Sequence, residues 1–71
     1  MTVEVTAPMS GKIIGLLCKV GDQVQFEDEL MTLEALKMEN PIYAPADGRI
    51  SEIRTPLGAT VESNQVLLII D

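Results

Sequence analysis

The sequence predicts an all-β fold, a flattened β-barrel or sandwich of two four-stranded antiparallel sheets with pseudo-twofold symmetry. The first observation is an internal repeat: the chain matches itself, without a gap, when it is shifted by 37 positions. The second is that each copy consists of short apolar or alternating runs separated by Gly and Pro. The third is that no segment is a convincing helix, so the predicted strands must pack as sheet on sheet.

Turn residues match along with hydrophobic residues when the two copies are compared. Gly and Pro constrain the backbone most tightly, so their agreement in register indicates two copies of one backbone path rather than chance similarity. Residues 1–71 are therefore predicted to form one domain with an internal repeat of 1–34 and 38–71. The matched pairs include Ala7-Pro8 with Ala44-Pro45, Gly11 with Gly48, Gly21 with Gly58, Val24 with Val61, and Leu30 with Leu67.

The first copy opens with an alternating run, turns at a Gly-containing stretch and closes with an apolar run. Its closing segment is ambiguous by itself, because its local propensities favour a helix and apolar residues recur there at helical spacing. The equivalent segment of the second copy resolves this ambiguity. We predict strands at 3–7, 11–17, 23–26 and 29–35, with turns at 8–10 and 20–22.

The second copy closes with residues 66–70, which are rich in β-branched residues and too short for a typical helix. Equivalent positions of a duplicated fold share one structure, so residues 29–35 are predicted to be a strand as well. Gly21 and Gly58 each precede a strand, where a left-handed backbone is often required. We predict strands at 38–44, 48–54, 60–63 and 66–70, with turns at 45–47 and 57–59.

Size and composition exclude several classes of function. A domain of 71 residues buries only about 60% of its unfolded surface, which leaves little room for an enclosed active site. The net charge of −6 disfavours nucleic acid, whose phosphates would be repelled, and Tyr43 and Phe26 are too few to form a stacking platform. Cys18 is the only cysteine and the chain has no histidine, so Cys18 is predicted to be a half-buried strand residue rather than a nucleophile.

The cellular compartment is also predicted from composition. No apolar run approaches the roughly 18 residues of a membrane span, and the N-terminus lacks a basic and apolar signal segment. A single thiol suits a reducing compartment. We therefore expect a cytoplasmic domain without direct membrane insertion.

Lys37 differs from the other two lysines, Lys12 and Lys19, in its surroundings. It lies between Leu36 and Met38 on a predicted tight turn, where Gly, Asn, Asp, Ser or Pro is usual. Large apolar residues at an exposed turn stabilise nothing unless a partner contacts them. Position 37 also joins the two copies, so its symmetry counterparts fall outside both chain ends. The hairpin carrying Lys37 is therefore predicted to project away from the termini.

The segment Glu34-Ala35-Leu36-Lys37-Met38 resembles the Glu-Ala-Met-Lys-Met signature of biotinyl domains, the biotin carboxyl carrier modules of the biotin/lipoyl attachment family. The resemblance covers essentially the whole chain. It implies a pair of four-stranded sheets with Lys37 on a hairpin, covalent biotin on Lys37, and recognition of Glu34, Ala35, Leu36 and Met38 by a biotin protein ligase. Leu36 stands where Met is usual, and the protruding thumb of some bacterial carriers is missing.

The same resemblance implies a non-catalytic carrier whose biotin takes a carboxyl group from a biotin carboxylase component to a carboxyltransferase component. Neither catalytic residues nor metal ligands are then expected in this chain. The parent enzyme stays open among acyl-CoA, pyruvate and urea carboxylases, a transcarboxylase and a sodium-pumping decarboxylase.

Three alternatives bear on Lys37. A lipoyl domain shares the fold, but its lysine commonly follows an aspartate, as in Thr-Asp-Lys-Ala, whereas Leu36 precedes Lys37 here. An unmodified interaction domain does not explain the apolar residues around the lysine. An independent enzyme is disfavoured because carboxylates such as Glu27, Asp28 and Glu29 are typical of a solvated face.

Overall fold

The computed structural model describes residues 2–71, and these residues form eight β-strands without a helix. Within this range there is accordingly no helix long and apolar enough to span a membrane. The strands are β1 (Val3–Thr6), β2 (Gly11–Leu16), β3 (Gln23–Val24), β4 (Glu29–Ala35), β5 (Met38–Tyr43), β6 (Gly48–Ile53), β7 (Thr60–Val61) and β8 (Val66–Ile70).

The strands form two four-stranded antiparallel sheets, with the orders β1-β8-β6-β3 and β5-β4-β2-β7. Moving every strand of the first sheet by four places in the chain produces the second sheet. Each sheet therefore takes strands from both copies, and the copies are interleaved rather than side by side. The predicted fold class, including its pseudo-twofold symmetry, is confirmed.

The core between the sheets consists of aliphatic side chains that the repeat relates in pairs. Burying one such side chain stabilises the fold by about 1.5–3 kcal/mol, and regular packing of this kind replaces the disulfides that many small domains need. The buried pairs are Val5 with Ile42, Ala7 with Ala44, Ile13 with Ile50, Val24 with Val61, Leu30 with Leu67, Met31 with Leu68, and Leu33 with Ile70.

β4 is a central strand in spite of the helical propensity of its residues. It pairs with β2 on one side and with β5 on the other, so its backbone groups bond in both directions. Leu33 and Ala35 face the core, whereas Glu34 faces solvent. Pairing on both sides together with burial therefore outweighs local propensity, as the repeat predicted.

β3 and β7 are shorter than predicted, because turns at Phe26-Glu27 and Ser63-Asn64 replace their last residues. Glu27 and Asn64 have φ values of 71° and 70°, which place both in the left-handed region. Side chains bridge each turn: the Gln25 N–H donates to Asp28 Oδ2, and the Glu62 N–H donates to Gln65 Oε1. The extended strands predicted at 23–26 and 60–63 are wrong at these ends.

Glycines occupy two kinds of position that disfavour a side chain, namely left-handed turns and close approaches between strands. Gly21 and Gly58 have φ values of 96° and 90°, which confirms the predicted left-handed turns. At Gly11 the reason is a close approach, since a Cβ there would overlap the main-chain oxygen of Glu34. Gly11 thus lets β2 pack tightly beside the end of β4.

The C-terminal residue lies near the chain segment that follows the base of the β4–β5 hairpin, in a molecule that measures 32 × 17 × 17 Å. The base of the hairpin is the pair of Glu29 and Tyr43. From Tyr43 the chain turns into Gly48, where a Cβ would lie 2.7 Å from the main-chain oxygen of Asp71. Asp71 is therefore beyond the base of the hairpin and away from its tip.

Candidate functional site

The tip of the β4–β5 hairpin is a two-residue loop of Leu36 and Lys37, closed by the pairing of Ala35 with Met38. Both loop residues have left-handed backbones, with φ values of 54° and 62°. This is the pattern of a type I′ turn, whose twist matches that of the flanking strands. Asn and Gly usually occupy such a turn, because a left-handed conformation costs other residues roughly 1–2 kcal/mol each.

The side chains at the tip point into solvent although two of them are large and apolar. Leu36 is 90% exposed and Met38 is 64% exposed, while Ala35 is 8% exposed. Lys37 is also exposed. Ala35 is therefore the last residue that contributes to the core, and the next three contribute little to it.

Polar and close-packed contacts support the base of this tip. Asn40 Nδ2 donates to the main-chain oxygen of Met38 over 3.3 Å, which holds the first residue of β5. On the other side, Gly11 packs against the backbone of Glu34. The lysine thus stands on a short loop whose flanking strands are fixed by the sheet.

Charged side chains form a row across the outer face of the sheet next to the tip. Glu39 lies opposite Glu34, Glu34 lies opposite Lys12, and Lys12 lies opposite Thr60. Two facing carboxylates on neighbouring strands repel each other. Only Glu34 has a cation directly across from it, so the row is acidic toward β5.

The three lysines occupy different backbone settings. Lys12 lies within β2, and Lys19 lies in a turn where its N–H donates to Asp22 Oδ2 over 3.0 Å. Lys37 alone stands at the apex of a hairpin. Across residues 2–71 the only salt bridge joins Arg54 to Glu52, so the Lys37 ammonium is held by no carboxylate there.

Cys18 does not belong to this site. It lies in the loop after β2 and is buried, so the prediction of a half-buried strand residue is wrong. Burial, and to a lesser extent the nearby Asp22 carboxylate, raises the pKa of the Cys18 thiol. The thiol is therefore less reactive than a free cysteine at neutral pH.

No group of His, Cys, Asp or Glu within residues 2–71 could hold a metal ion.

The predicted motif and the observed site overlap in part. Leu36, Lys37 and Met38 are brought together at the tip, while Glu34 lies in the charged row and Ala35 is buried. Sequence reasoning missed the position of Lys12 beside Glu34 and the hydrogen bond of Asn40. The strand register, which a single sequence does not display, places both.

Comparison with known families decides the relationship of this chain. A family model described as "Biotin-requiring enzyme" matches residues 1–70. The chain belongs to this family. This chain, with its two packed sheets and a lysine at a hairpin apex, is thus a member of the biotin/lipoyl group, as the motif indicated.

Curated relatives include carrier proteins and larger carboxylases. A biotin carboxyl carrier protein of Streptococcus mutans is 45% identical over 64 residues, which are 90% of this chain and 49% of the relative. The biotin carboxyl carrier protein of acetyl-CoA carboxylase from Solanum lycopersicum is 40% identical, over 82% of this chain and 83% of the relative. The chain spans about half of the first relative and only 9% of the methylcrotonoyl-CoA carboxylase subunit alpha of Mus musculus.

Solved structures show the same fold within much longer chains. The urea carboxylase of Kluyveromyces lactis superposes with a TM-score of 0.93 at 24% identity, over 100% of this chain and 6% of the carboxylase. A single-chain, multi-domain long-chain acyl-CoA carboxylase gives a TM-score of 0.90 at 24% identity. At this identity the likeness concerns the fold.

Proposed function

We propose that Lys37 is the site of covalent biotin attachment and that the domain carries a carboxyl group between the active sites of a biotin-dependent carboxylase. The observation that carries the proposal is the tip itself: an unpaired lysine at the apex of a left-handed turn, between two exposed apolar side chains. The family match and the carrier proteins among the relatives support biotin as the group attached.

The tip fits covalent attachment because the Lys37 side chain is exposed and, within residues 2–71, forms no salt bridge. Condensation of the Lys37 ammonium with the carboxylate of biotin forms one amide bond and releases one water. The reaction removes one positive charge, so the formal net charge changes from −6 to −7. When bound, biotin supplies a ring nitrogen that accepts and releases a carboxyl group, and the chain supplies position.

The residues of the chain present the lysine and take no part in the transfer itself. The left-handed turn directs Lys37 away from the sheets, and Ala35 and Asn40 hold the strands beneath it. Tethering raises the effective concentration of the bound group at both active sites without tight binding. An acidic surface that adheres weakly suits a carrier that must leave each site.

The partners follow from this role. A biotin protein ligase must modify Lys37, and biotin carboxylase and carboxyltransferase components must use the product, all in the cytoplasm. The domain itself has no catalytic role under this proposal. Which acceptor receives the carboxyl group depends on those components and not on the residues described here.

Intact mass spectrometry after incubation with a biotin protein ligase, biotin and ATP tests the attachment site. The expected result is a gain of one biotin less one water in the wild-type chain and in Lys12→Arg, the matched control. Lys37→Arg is expected to gain nothing. A wild-type chain that stays unmodified, or a gain that persists in Lys37→Arg, would overturn the proposal.

A parallel incubation with lipoate ligase, lipoate and ATP separates the two cofactors of the family. No mass gain is expected, because Leu36 stands where lipoyl domains commonly have an aspartate. A lipoyl adduct on Lys37, formed in place of the biotin adduct, would mean that the domain carries lipoate and not biotin.

A further inference from the structure

A groove of about 350 Å³ separates β1 from β5, the outer strands of the two sheets. Its eight lining residues form four pairs that the repeat relates, so the groove lies on the pseudo-twofold axis. The pairs are Glu4 with Pro41, Val5 with Ile42, Thr6 with Tyr43, and Pro8 with Pro45.

The two walls of the groove differ in chemistry although they are equivalent in position. The β1 wall presents Glu4 and Thr6, whereas the β5 wall presents Pro41 and Tyr43 at the same places. Tyr43 is 54% exposed. The apolar wall therefore belongs to the strand that leads directly away from the Lys37 tip.

Carboxylates surround this apolar wall. Glu39 lies two residues before Pro41, on the same face of β5, and Glu34 lies across from Glu39. Glu29 lies across from Tyr43, and Glu4 lines the groove itself. A partner segment that places an apolar side chain in the groove and a Lys or Arg beside it would match this pattern of charge.

The exposed edge of β5 restricts how a partner can bind. Pro41 has no N–H, so a strand added along this edge would lack a donor at its middle. Binding must then depend on side chains that enter the groove rather than on an extended ladder.

The groove is close enough to the tip for one partner protein to cover both. Pro41 and Tyr43 lie three and five residues from Met38, or about 10 and 17 Å along the strand. A partner that buries about 800 Å² of this domain covers a patch about 30 Å across. An enzyme that acts on the lysine amine must contact the tip itself, whereas the long biotin arm lets later enzymes work at a greater distance.

We infer that the groove between β1 and β5 is a docking site for the biotin protein ligase, which seats an apolar side chain flanked by Lys or Arg against Pro41 and Tyr43. The inference rests on the proposed modification of Lys37. Under this inference the ligase contacts residues outside the motif of residues 34–38, on the β5 side of the hairpin.

Steady-state biotinylation by purified ligase tests the inference with Tyr43→Ser and the matched control Phe26→Ser. Phe26 is 61% exposed and lies in the turn that bonds Asp47, outside the groove. Loss of an aromatic anchor is expected to raise KM about tenfold with kcat within about twofold of wild type. Phe26→Ser is expected to keep both constants. Circular dichroism checks that both variants are folded.

Charge gives a second test that does not depend on Tyr43. Glu39→Lys is expected to raise KM, and the wild-type KM is expected to rise with salt concentration, because salt screens attraction between exposed charges. An unchanged KM in both Tyr43→Ser and Glu39→Lys would overturn the docking site. If wild-type Lys37 is never modified, the proposed function fails first, whereas modification with unchanged constants in the variants contradicts the groove alone.

Discussion

Within residues 2–71, left-handed residues other than glycine occur in two kinds of turn, which differ in the contacts that hold them. Glu27 and Asn64 occupy equivalent turns, and each turn is bridged by side chains that bond its backbone. Leu36 and Lys37 form the hairpin tip, where both residues are exposed and no side chain from residues 2–71 bonds to the two loop residues. The turn at Glu27 in the first half of the chain has its counterpart in the turn at Asn64 in the second half, whereas the tip joins the two halves and is not repeated.

The difference separates structural requirement from functional requirement. A left-handed turn that recurs in both halves, with its own hydrogen bonds, is explained by the path of the chain. The two-residue hairpin requires left-handed backbones at positions 36 and 37, but nothing in the fold requires Leu and Lys there, where Asn and Gly would avoid the conformational cost. Under the proposed function, presentation of Lys37 to a partner accounts for that cost.

The largest expected contrast compares a buried leucine with the exposed one three residues later. Leu33→Ala removes a fully buried side chain and is expected to lower the free energy of unfolding by about 2–5 kcal/mol. Leu36→Ala is expected to change it by less than about 0.5 kcal/mol. Urea denaturation of both variants measures the two values. Equal losses would mean that the tip is part of the core and would remove the contrast.

An intermediate effect is expected where side chains hold the bridged turns. The Phe26 N–H donates to Asp47 Oδ1 over 2.7 Å, and at the equivalent place the Ser63 N–H donates to Ser10 Oγ over 3.3 Å. Asp47→Ala is expected to cost about 1–1.5 kcal/mol, and Ser10→Ala about 0.5 kcal/mol, because a carboxylate is the stronger acceptor. Neither change should alter biotinylation of Lys37. A loss of modification in either variant would show that the bridged turns, and not the tip alone, are needed for biotinylation.

A small change in the opposite direction, a gain in stability, is expected from asparagine in the left-handed positions. Glu27→Asn and Leu36→Asn are each expected to stabilise the fold by about 0.5–1 kcal/mol, because Asn tolerates this conformation better. Thermal unfolding should show a rise of a few degrees in Tm in both variants. Only Leu36→Asn is expected to slow biotinylation. Unchanged kinetics in Leu36→Asn would show that the apolar side chain has no functional role.

Much of the fold could be predicted from the repeat alone. The strand assignment of residues 29–35 succeeded because residues 66–70 carry an unambiguous β pattern at the equivalent place. The ends of β3 and β7 could not be predicted, because the turns after them depend on Asp28 and Gln65 bonding backward to the main chain. Such local bonds compete with strand pairing and leave no periodic pattern in the sequence.

The candidate site could likewise be predicted only in part. Lys37, Leu36 and Met38 were identifiable because large apolar residues are out of place on a tight turn. The acidic row of Glu34 and Glu39 and the groove beside Tyr43 required the pairing of strands that are distant in sequence. In the sequence, Glu34 and Glu39 cannot be distinguished from other solvated charges. Only the strand register shows that they face each other across β4 and β5.

The interleaved strand order has a consequence for biosynthesis. β1 pairs only with β8, which contains the last residues of the second copy. A nascent chain emerging from the ribosome therefore carries β1 without its neighbour until residues 66–70 are free, and neither copy can complete a sheet by itself. Folding of this domain must be post-translational or must wait for the end of the segment. It is expected to be slow for its size, because apart from the β4–β5 hairpin most of its contacts join distant parts of the chain.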